Sequence, residues 1–257
     1  LNVTAENITY GEEETITVTL PGDAQGLVTV NVTGRDSMTI NLADNNTIII
    51  PAYDLVVGEY EVNISYYDDN YALKTNSTTF RVDKAVSNVE VEGISVRADV
   101  NEIVTVNVTD RNASGKVNIT LYKDGVLVGE VVTIDSLTNE SGVTHDFGLL
   151  EVGEYTVNVT YYGDSNYNDS NASYTFTVSK IPTFTNVTVL NSTAGNVTLN
   201  ITVKGDDGNV IREGKVNVTV AGNVVGVDLS GEDFTVVNLR DNITASGDIS
   251  VSVLYTG

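Results

Sequence analysis

Gly153-Glu154-Tyr155-Thr156-Val157-Asn158-Val159-Thr160-Tyr161-Tyr162 decides how this chain is read. Tyr155, Val157, Val159 and Tyr161 stand at every second position, with Thr156, Asn158 and Thr160 between them. A side-chain period of two belongs to a strand with one face buried and the other in water. The same text stands earlier as Gly58-Glu59-Tyr60-Glu61-Val62-Asn63-Ile64-Ser65-Tyr66-Tyr67. It returns in a weaker form as Gly247-Asp248-Ile249-Ser250-Val251-Ser252-Val253-Leu254-Tyr255. The three leading glycines are separated by 153 − 58 = 95 and 247 − 153 = 94 residues.

A second anchor precedes each copy: Gly26-Leu27-Val28-Thr29-Val30, Gly115-Lys116-Val117-Asn118-Ile119-Thr120 and Gly214-Lys215-Val216-Asn217-Val218-Thr219. Here the separations are 115 − 26 = 89 and 214 − 115 = 99 residues. The drift between the two anchors places insertions in the connecting loops, where added length is tolerated. The period is too long for a solenoid repeat and matches one small β-sandwich. Boundaries fall at Lys84/Ala85 and Lys180/Ile181, after strands ending Val82-Asp83-Lys84 and Val178-Ser179-Lys180. The repeats are then 1–84, 85–180 and 181–257. Neither junction carries a Gly/Ser-rich spacer, so the expectation is an extended rod.

The second repeat reads most clearly. Val104, Val106 and Val108 alternate with Thr105 and Asn107, and Val117, Ile119 and Leu121 alternate with Asn118 and Thr120. Asp124-Gly125 is a hairpin signal before Val126-Leu127-Val128. Val131–Ile134, Val143–Phe147, Tyr155–Tyr161 and Tyr174–Val178 supply further strands. About seven short strands separated by turn signals predict an immunoglobulin-like sandwich. The fold class is therefore all-β, with three tandem immunoglobulin-like β-sandwich domains. In the third repeat nothing after Tyr255 corresponds to Tyr174–Val178, so the last domain is expected to lack its final strand. A shortened chain explains this, and a strand donated by a neighbouring chain is the alternative. Leu55-x-x-Gly58-x-Tyr60-x-Val62 and Leu150-x-x-Gly153-x-Tyr155-x-Val157 have the form of a tyrosine corner, which assigns that structural role to Tyr60 and Tyr155.

Composition removes several function classes. Thirty-five acidic and 13 basic residues give a net charge of −22, a field that repels nucleic acid and anionic membrane. There is no cysteine, hence no disulfide or thiol chemistry. No apolar run approaches the roughly 20 residues of a membrane-spanning helix. Leu1 opens directly into alternating sequence with no visible signal peptide, so the chain reads as an interior piece of a larger protein. The single histidine, His145, sits in an alternating strand, and no nucleophile–base–orienter set emerges from spacing. The expectation is a non-enzyme.

The stretch Gly153-Glu154-Tyr155-Thr156-Val157-Asn158-Val159-Thr160-Tyr161-Tyr162-Gly163-Asp164-Ser165-Asn166-Tyr167 resembles the signature of bacterial-type Ig-like repeats of group 3. Such repeats abound in adhesin-like surface proteins of methanogenic archaea. The Gly115–Thr120 strand is similar to that family too. The resemblance covers the first two repeats well and the third loosely. The first repeat departs from it at Asp68-Asp69-Asn70-Tyr71, and the third lacks the tail of the motif. The resemblance implies an extracellular, cell-surface stalk that presents adhesive domains to surface glycans or proteins of partner cells, or to matrix.

Four sets of side chains are candidates for a site. Asp68 and Asp69, Asp164 and Asn166, and Asp206 and Asp207 offer hard oxygen ligands in loops that suit Ca²⁺, though without EF-hand spacing. Asp, Asn and Gly are equally ordinary turn residues. No other cofactor is implied. Asn-x-Ser/Thr recurs from Asn2 to Asn242, partly because alternation writes that motif automatically; the loop positions Asn168 and Asn171 are the glycosylation candidates. Tyr67, Tyr71, Tyr162 and Tyr167 gather around the loop after the Tyr-Tyr pair, the F–G loop of a sandwich. Loops at one sandwich end form a usual binding surface, so a glycan- or protein-binding module is the second functional reading. The plainer reading of these tyrosines is that one of each pair faces the core and its neighbour packs at a domain junction. Lys116 and Lys215 raise the idea of an internal isopeptide bond, but alternation puts them on the outer face.

Overall fold

The structure is a computed structural model that describes residues 1–41, 44–193, 195–240, 243 and 247–257. The sequon at Asn242 lies outside the described residues. Among those residues there are 23 strands and no helix. Contacts divide the chain into two compact units. The first is Leu1–Ser95, Glu102–Gly148 and Gly153–Thr177, and holds the first repeat and most of the second. The second is Val96–Asn101, Leu149–Val152 and Val178–Gly257, and holds the third.

In the first repeat the strands are β1 (Asn2–Thr4), β2 (Ile8–Thr9), β3 (Glu14–Thr19), β4 (Leu27–Val32), β5 (Met38–Asn41), β6 (Thr47–Ile50), β7 (Gly58–Tyr66) and β8 (Lys74–Asp83). They form a sheet β1-β3-β6 facing a sheet β2-β8-β7-β4-β5. The second repeat has β9 (Val89–Glu92), β10 (Val96–Arg97), β11 (Glu102–Val108), β12 (Ser114–Lys123), β13 (Val126–Thr138), β14 (Val143–Gly148), β15 (Gly153–Tyr161) and β16 (Ser170–Ser179). Its sheets, β9-β11-β14 and β10-β16-β15-β12-β13, repeat the first plan strand for strand. The inward residues of the alternating runs make the cores. Ile16, Val18, Val28, Val30, Val62 and Ile64 are buried in one, and Val104, Val106, Val117, Ile119, Val157 and Val159 in the other. Each such side chain contributes roughly 1.5–3 kcal/mol, which lets the sandwiches hold without a covalent staple. One detail departs from the sequence reading. Val126–Val128 and Val131–Ile134 are not two strands but parts of one long β13, because a bulge opposite Ile119–Leu121 absorbs Gly129, at φ 72°, without breaking the ladder.

In the first two repeats the first strand changes sheet midway. β1 pairs antiparallel with β3, whereas β2 pairs parallel with β8; β9 and β10 do the same with β11 and β16. Beneath each switch lies an acid that alternation places on the inner face, Glu14 and Glu102, both fully buried. Their carboxyl oxygens make no hydrogen bond of good geometry. Burial raises both pKa values above the ordinary glutamate value, and the Glu6 and Ile94 amides of the two switches oppose the rise. A Cβ on Gly93 would stand 2.7 Å from Glu102 Oε1 and 2.9 Å from the Tyr174 ring, so a larger residue there would force one of them to move.

The third repeat has β17 (Thr183–Thr193), β18 (Asn196–Gly205), β19 (Val210–Ile211), β20 (Lys215–Val220), β21 (Asn223–Asp228), β22 (Thr235–Asn238) and β23 (Val251–Tyr255). Val197 stands where the other repeats have the buried acid, and here β17 pairs with β18 along its whole length instead of switching. β20 lies between β21 and β23, and its core is Leu199, Ile201, Val203, Val216, Val218, Val220, Val237, Leu239 and Ile243.

The two sequence anchors meet in space. The first tyrosine of each Tyr-Tyr pair, or its single counterpart, donates its hydroxyl to the carbonyl just before the anchor glycine. Tyr66 bonds Gln25 at 2.9 Å, Tyr161 bonds Ser114 at 2.7 Å and Tyr255 bonds Glu213 at 3.1 Å. Gly115 has φ 144°, and a Cβ there would sit 2.7 Å from the Gly163 carbonyl.

Two outcomes follow for stability. A raised carboxyl pKa means the folded state keeps a proton that the unfolded chain releases, so this contribution is full below 4.5 and is lost as pH rises through the folded values. Glu14→Gln with Glu102→Gln should therefore raise the unfolding free energy measured in urea at neutral and alkaline pH, by about 1–3 kcal/mol per site, and flatten its pH dependence. Tyr161→Phe should cost about 1 kcal/mol in urea unfolding. Gly115→Ala should cost more, since it adds backbone strain to a close contact.

Candidate functional site: the F–G loop and the repeat junction

In the first two repeats the chain leaves β7 and β15, the F strands of the two sandwiches, into a loop built around one aspartate. Asp68 Oδ1 accepts the amides of Asn70 at 2.8 Å and Tyr71 at 2.6 Å. Asp164 Oδ1 accepts those of Asn166 at 2.7 Å and Tyr167 at 2.8 Å. The amides of Asp68 and Asp164 in turn donate to the carbonyls of Tyr71 and Tyr167, each at 3.1 Å. The second carboxylate oxygen reaches back to the glycine anchor. Asp68 Oδ2 accepts the Gln25 amide at 3.3 Å and Asp164 Oδ2 the Ser114 amide at 2.9 Å. Gln25 and Ser114 are thus gripped twice, by a tyrosine on the carbonyl and an aspartate on the amide. The Tyr66 hydroxyl also faces the Asp68 carboxylate, sharing its one proton between that oxygen and the Gln25 carbonyl, and with these amides it holds the Asp68 carboxyl below the ordinary aspartate range.

At the loops named as calcium candidates the carboxylates are engaged within the chain. The oxygens of Asp68 and Asp164 are spent on backbone amides. In the second unit Asp206 pairs with Arg97 at 2.5 Å, and Asp207 accepts the Asn209 amide at 3.0 Å and side chain at 2.8 Å. Asp69 is exposed. Among the described residues no three His, Cys, Asp or Glu side chains come together as a metal group.

The second repeat's loop is seated on the first repeat. The linker runs parallel to it: the Ala85 amide donates to the Asn166 carbonyl at 3.0 Å, and the Asn168 amide to the Ala85 carbonyl at 2.8 Å. Lys84 Nζ donates to the Asp164 carbonyl. Asn166 Oδ1 accepts the Val57 amide at 3.1 Å. Ser87 and Ser170 share a hydroxyl bond at 2.7 Å. At the centre is an aromatic socket. Tyr10 meets Tyr53 edge-on at 5.5 Å and Tyr167 edge-on at 5.4 Å. Such pairs add roughly 0.5–1.5 kcal/mol each beyond burial. The Tyr167 hydroxyl donates to the Arg111 carbonyl at 2.8 Å, the Arg111 guanidinium lies 4.8 Å from the Tyr53 ring centre, and Asn112 donates to the Tyr10 hydroxyl at 3.3 Å. Tyr53 holds φ 67°, a strained value for a bulky residue, kept where its ring closes the socket.

Tyr167 therefore does not contact a ligand, contrary to one sequence reading. It is 4 % exposed, and burial pushes its hydroxyl up to about 12. The other three ring positions differ. Tyr71 is half-buried and donates to Asp23 at 2.6 Å. Tyr67 is exposed, and Tyr162 is exposed with its hydroxyl accepting from Asn118 at 2.9 Å and Lys116 over its ring. Tyr60 donates to the Val56 carbonyl at 2.8 Å and stacks on Phe80, while Tyr155 is buried and stacks on Phe176. Asn168 and Asn171 are exposed, and Asn171 accepts the Thr160 hydroxyl at 2.8 Å. His145 lies edge-on to Phe147. Sequence reasoning missed Tyr10, Tyr53, Arg111 and Asn112 entirely. They lie in turns far from Tyr167 in sequence, and no local pattern marks them.

No protein-family model matches the sequence, and no characterised protein sequence matches it either. Among solved structures it is similar to a two-domain fibronectin type-III segment of chicken tenascin, at 13 % identity and TM-score 0.41 over 69 % of this chain and 98 % of that one. It is similar to the FN1–FN3 domains of chicken CNTN1, at 14 % identity and TM-score 0.30 over 98 % of this chain and 91 % of that one. A Ca²⁺-stabilized adhesin with which an Antarctic bacterium reaches out and binds ice is similar at 18 % identity and TM-score 0.31, over 94 % of this chain and 66 % of that one. At such scores the architecture stands on the strand pairing described above.

Tyr167→Ala should remove the plug from the socket and uncouple the two repeats. In calorimetry, the shared melting transition of the first unit should split into two. Asn166→Ala should cost only about 1 kcal/mol and leave one transition.

Proposed function

We propose that this segment is an extracellular stalk of a cell-surface adhesin, spacing and presenting an adhesive region for attachment to partner cells or matrix. The observation that carries the reading is the use made of the second repeat's F–G loop. In a binding module that loop would face solvent, whereas here it is consumed by the junction with the preceding repeat. Inter-domain motion is the default when few contacts cross a linker. A ladder along the linker, a plugged aromatic socket and a side chain-to-amide bond oppose bending between these two repeats. The charge of −22 keeps crowded copies apart at a surface. Among the described residues no helix is long and apolar enough to cross a membrane.

A second reading, direct recognition of glycans, has one observation in its favour. An open trough on the outer face of β12, β15 and β16 is lined by Asn118, Thr120, Asn158, Thr160 and Asn171, with Tyr122 and Tyr162 beside them. Amides and hydroxyls between aromatic rings are the groups that bind sugars. It moves the recognition surface from the loop to the sheet.

The two readings separate in one experiment on the surface protein that carries this segment. Exchanging the segment for an unrelated rigid spacer of equal length should leave cell attachment intact. Lost attachment, together with binding of the isolated segment on a glycan array that Tyr162→Ala and Asn158→Ala abolish, would instead establish the second reading.

A further inference from the structure

The first repeat carries the same loop as the second, and among the described residues no other repeat is seated on it. Asp68 organises Asp69-Asn70-Tyr71 by the bonds with which Asp164 organises Ser165-Asn166-Tyr167. The glycine anchor beneath is gripped in the same way in both. Asn70 therefore corresponds to Asn166 and Tyr71 to Tyr167. In the second repeat these two loop residues reach the preceding repeat, through the Val57 amide and the Tyr10 ring, beside Arg111 and Asn112 of a neighbouring turn.

The surroundings of the two loops differ in a telling direction. Where the second repeat has Lys116 and Asp169, the first has Leu27 and Leu73, which are 59 % and 65 % exposed, and Tyr67 beside them is 73 % exposed. Large apolar side chains gathered at one end of a domain mark an interaction surface rather than ordinary solvent exposure.

We propose that the Asp68–Leu73 loop of the first repeat is a docking surface for another immunoglobulin-like repeat joined ahead of it in tandem, one that presents a tyrosine socket of the Tyr10–Tyr53 kind. Tyr71 is the plug and Asn70 takes a backbone amide of the partner. Leu27, Tyr67 and Leu73 widen the apolar contact beyond that of the second repeat. The partner's last strand supplies a basic residue in the place of Lys84, whose ammonium finds the Asp68 carbonyl as Lys84 finds that of Asp164. The proposal rests on the stalk reading only in expecting a neighbour of the same kind.

The test extends the chain with its own socket. Val3 pairs with Val18 as Val91 pairs with Val106, so Leu1 corresponds to Val89, and residues 1–88 fused ahead of Leu1 reproduce the native linker. The added copy carries Tyr71→Phe, so that only the original Tyr71 reports. Its nitration rate is followed by peptide mass mapping, beside that of Tyr167. The expected result is about a tenfold slowing at Tyr71 in the extended protein, reversed when the added copy also carries Tyr10→Ala and Tyr53→Ala. Equal rates at Tyr71 with Tyr167 still protected overturn the docking proposal and leave the stalk reading standing. A Tyr167 that reacts as fast as the Tyr71 of the unextended chain overturns both.

Discussion

The grip on one backbone residue, Ser114 in the second repeat and Gln25 in the first, is the constraint on which the rest hangs. A tyrosine from the F strand takes its carbonyl and an aspartate from the F–G loop takes its amide. Gln25 and Ser114 lie at the surface, so the grip acts through geometry: two bonds on one residue hold the tyrosine and the aspartate where they stand. Fixing the aspartate fixes the loop, because its other oxygen holds the next amides. Fixing the loop aims Asn166 and Tyr167 at the preceding repeat. A hydrogen bond at the end of one sandwich thereby sets the junction with another.

The buried glutamates show a different economy. A sandwich in which the first strand serves both sheets must break its ladder at the crossing, leaving amides without strand partners. Glu14 and Glu102 lie under those crossings and suffer desolvation for it. The third repeat has Val197 instead and no crossing. The acid and the crossing thus go together in this chain, and the acid is the less favourable choice for stability alone. It belongs to the shape of the repeat, which lets the first strand close the sheet that carries the F–G loop.

The aspartates named for calcium and the Tyr167 named for a ligand are engaged within the chain, for one shared reason. Asp, Asn and Tyr in a turn look alike in sequence whether they bind an ion, a sugar or their own backbone. What separates these cases is where the remaining lone pairs and ring faces go. Here the amides of Asn70, Tyr71, Asn166 and Tyr167 fill the aspartates, and a ring from another repeat covers Tyr167.

The alternation of Val, Ile and Tyr with Thr and Asn determined that this chain is all strand, and the twin anchors determined that it is built of repeated sandwiches. Period-two burial is a local property, written within a few residues, so it can be read without a structure. The inward glutamates were equally written there, two places before Ile16 and Val104, although an acid on the core face does not announce its purpose. Tertiary structure alone decided that Tyr161 meets Ser114, that Asp164 binds amides, and that Tyr167 enters a socket made by Tyr10 and Tyr53. Asp164 binds two amides of its own loop, but the Ser114 residue that it and Tyr161 grip lies 50 and 47 residues away, and Tyr10 and Tyr53 belong to another repeat than Tyr167; only folding brings these within bonding distance.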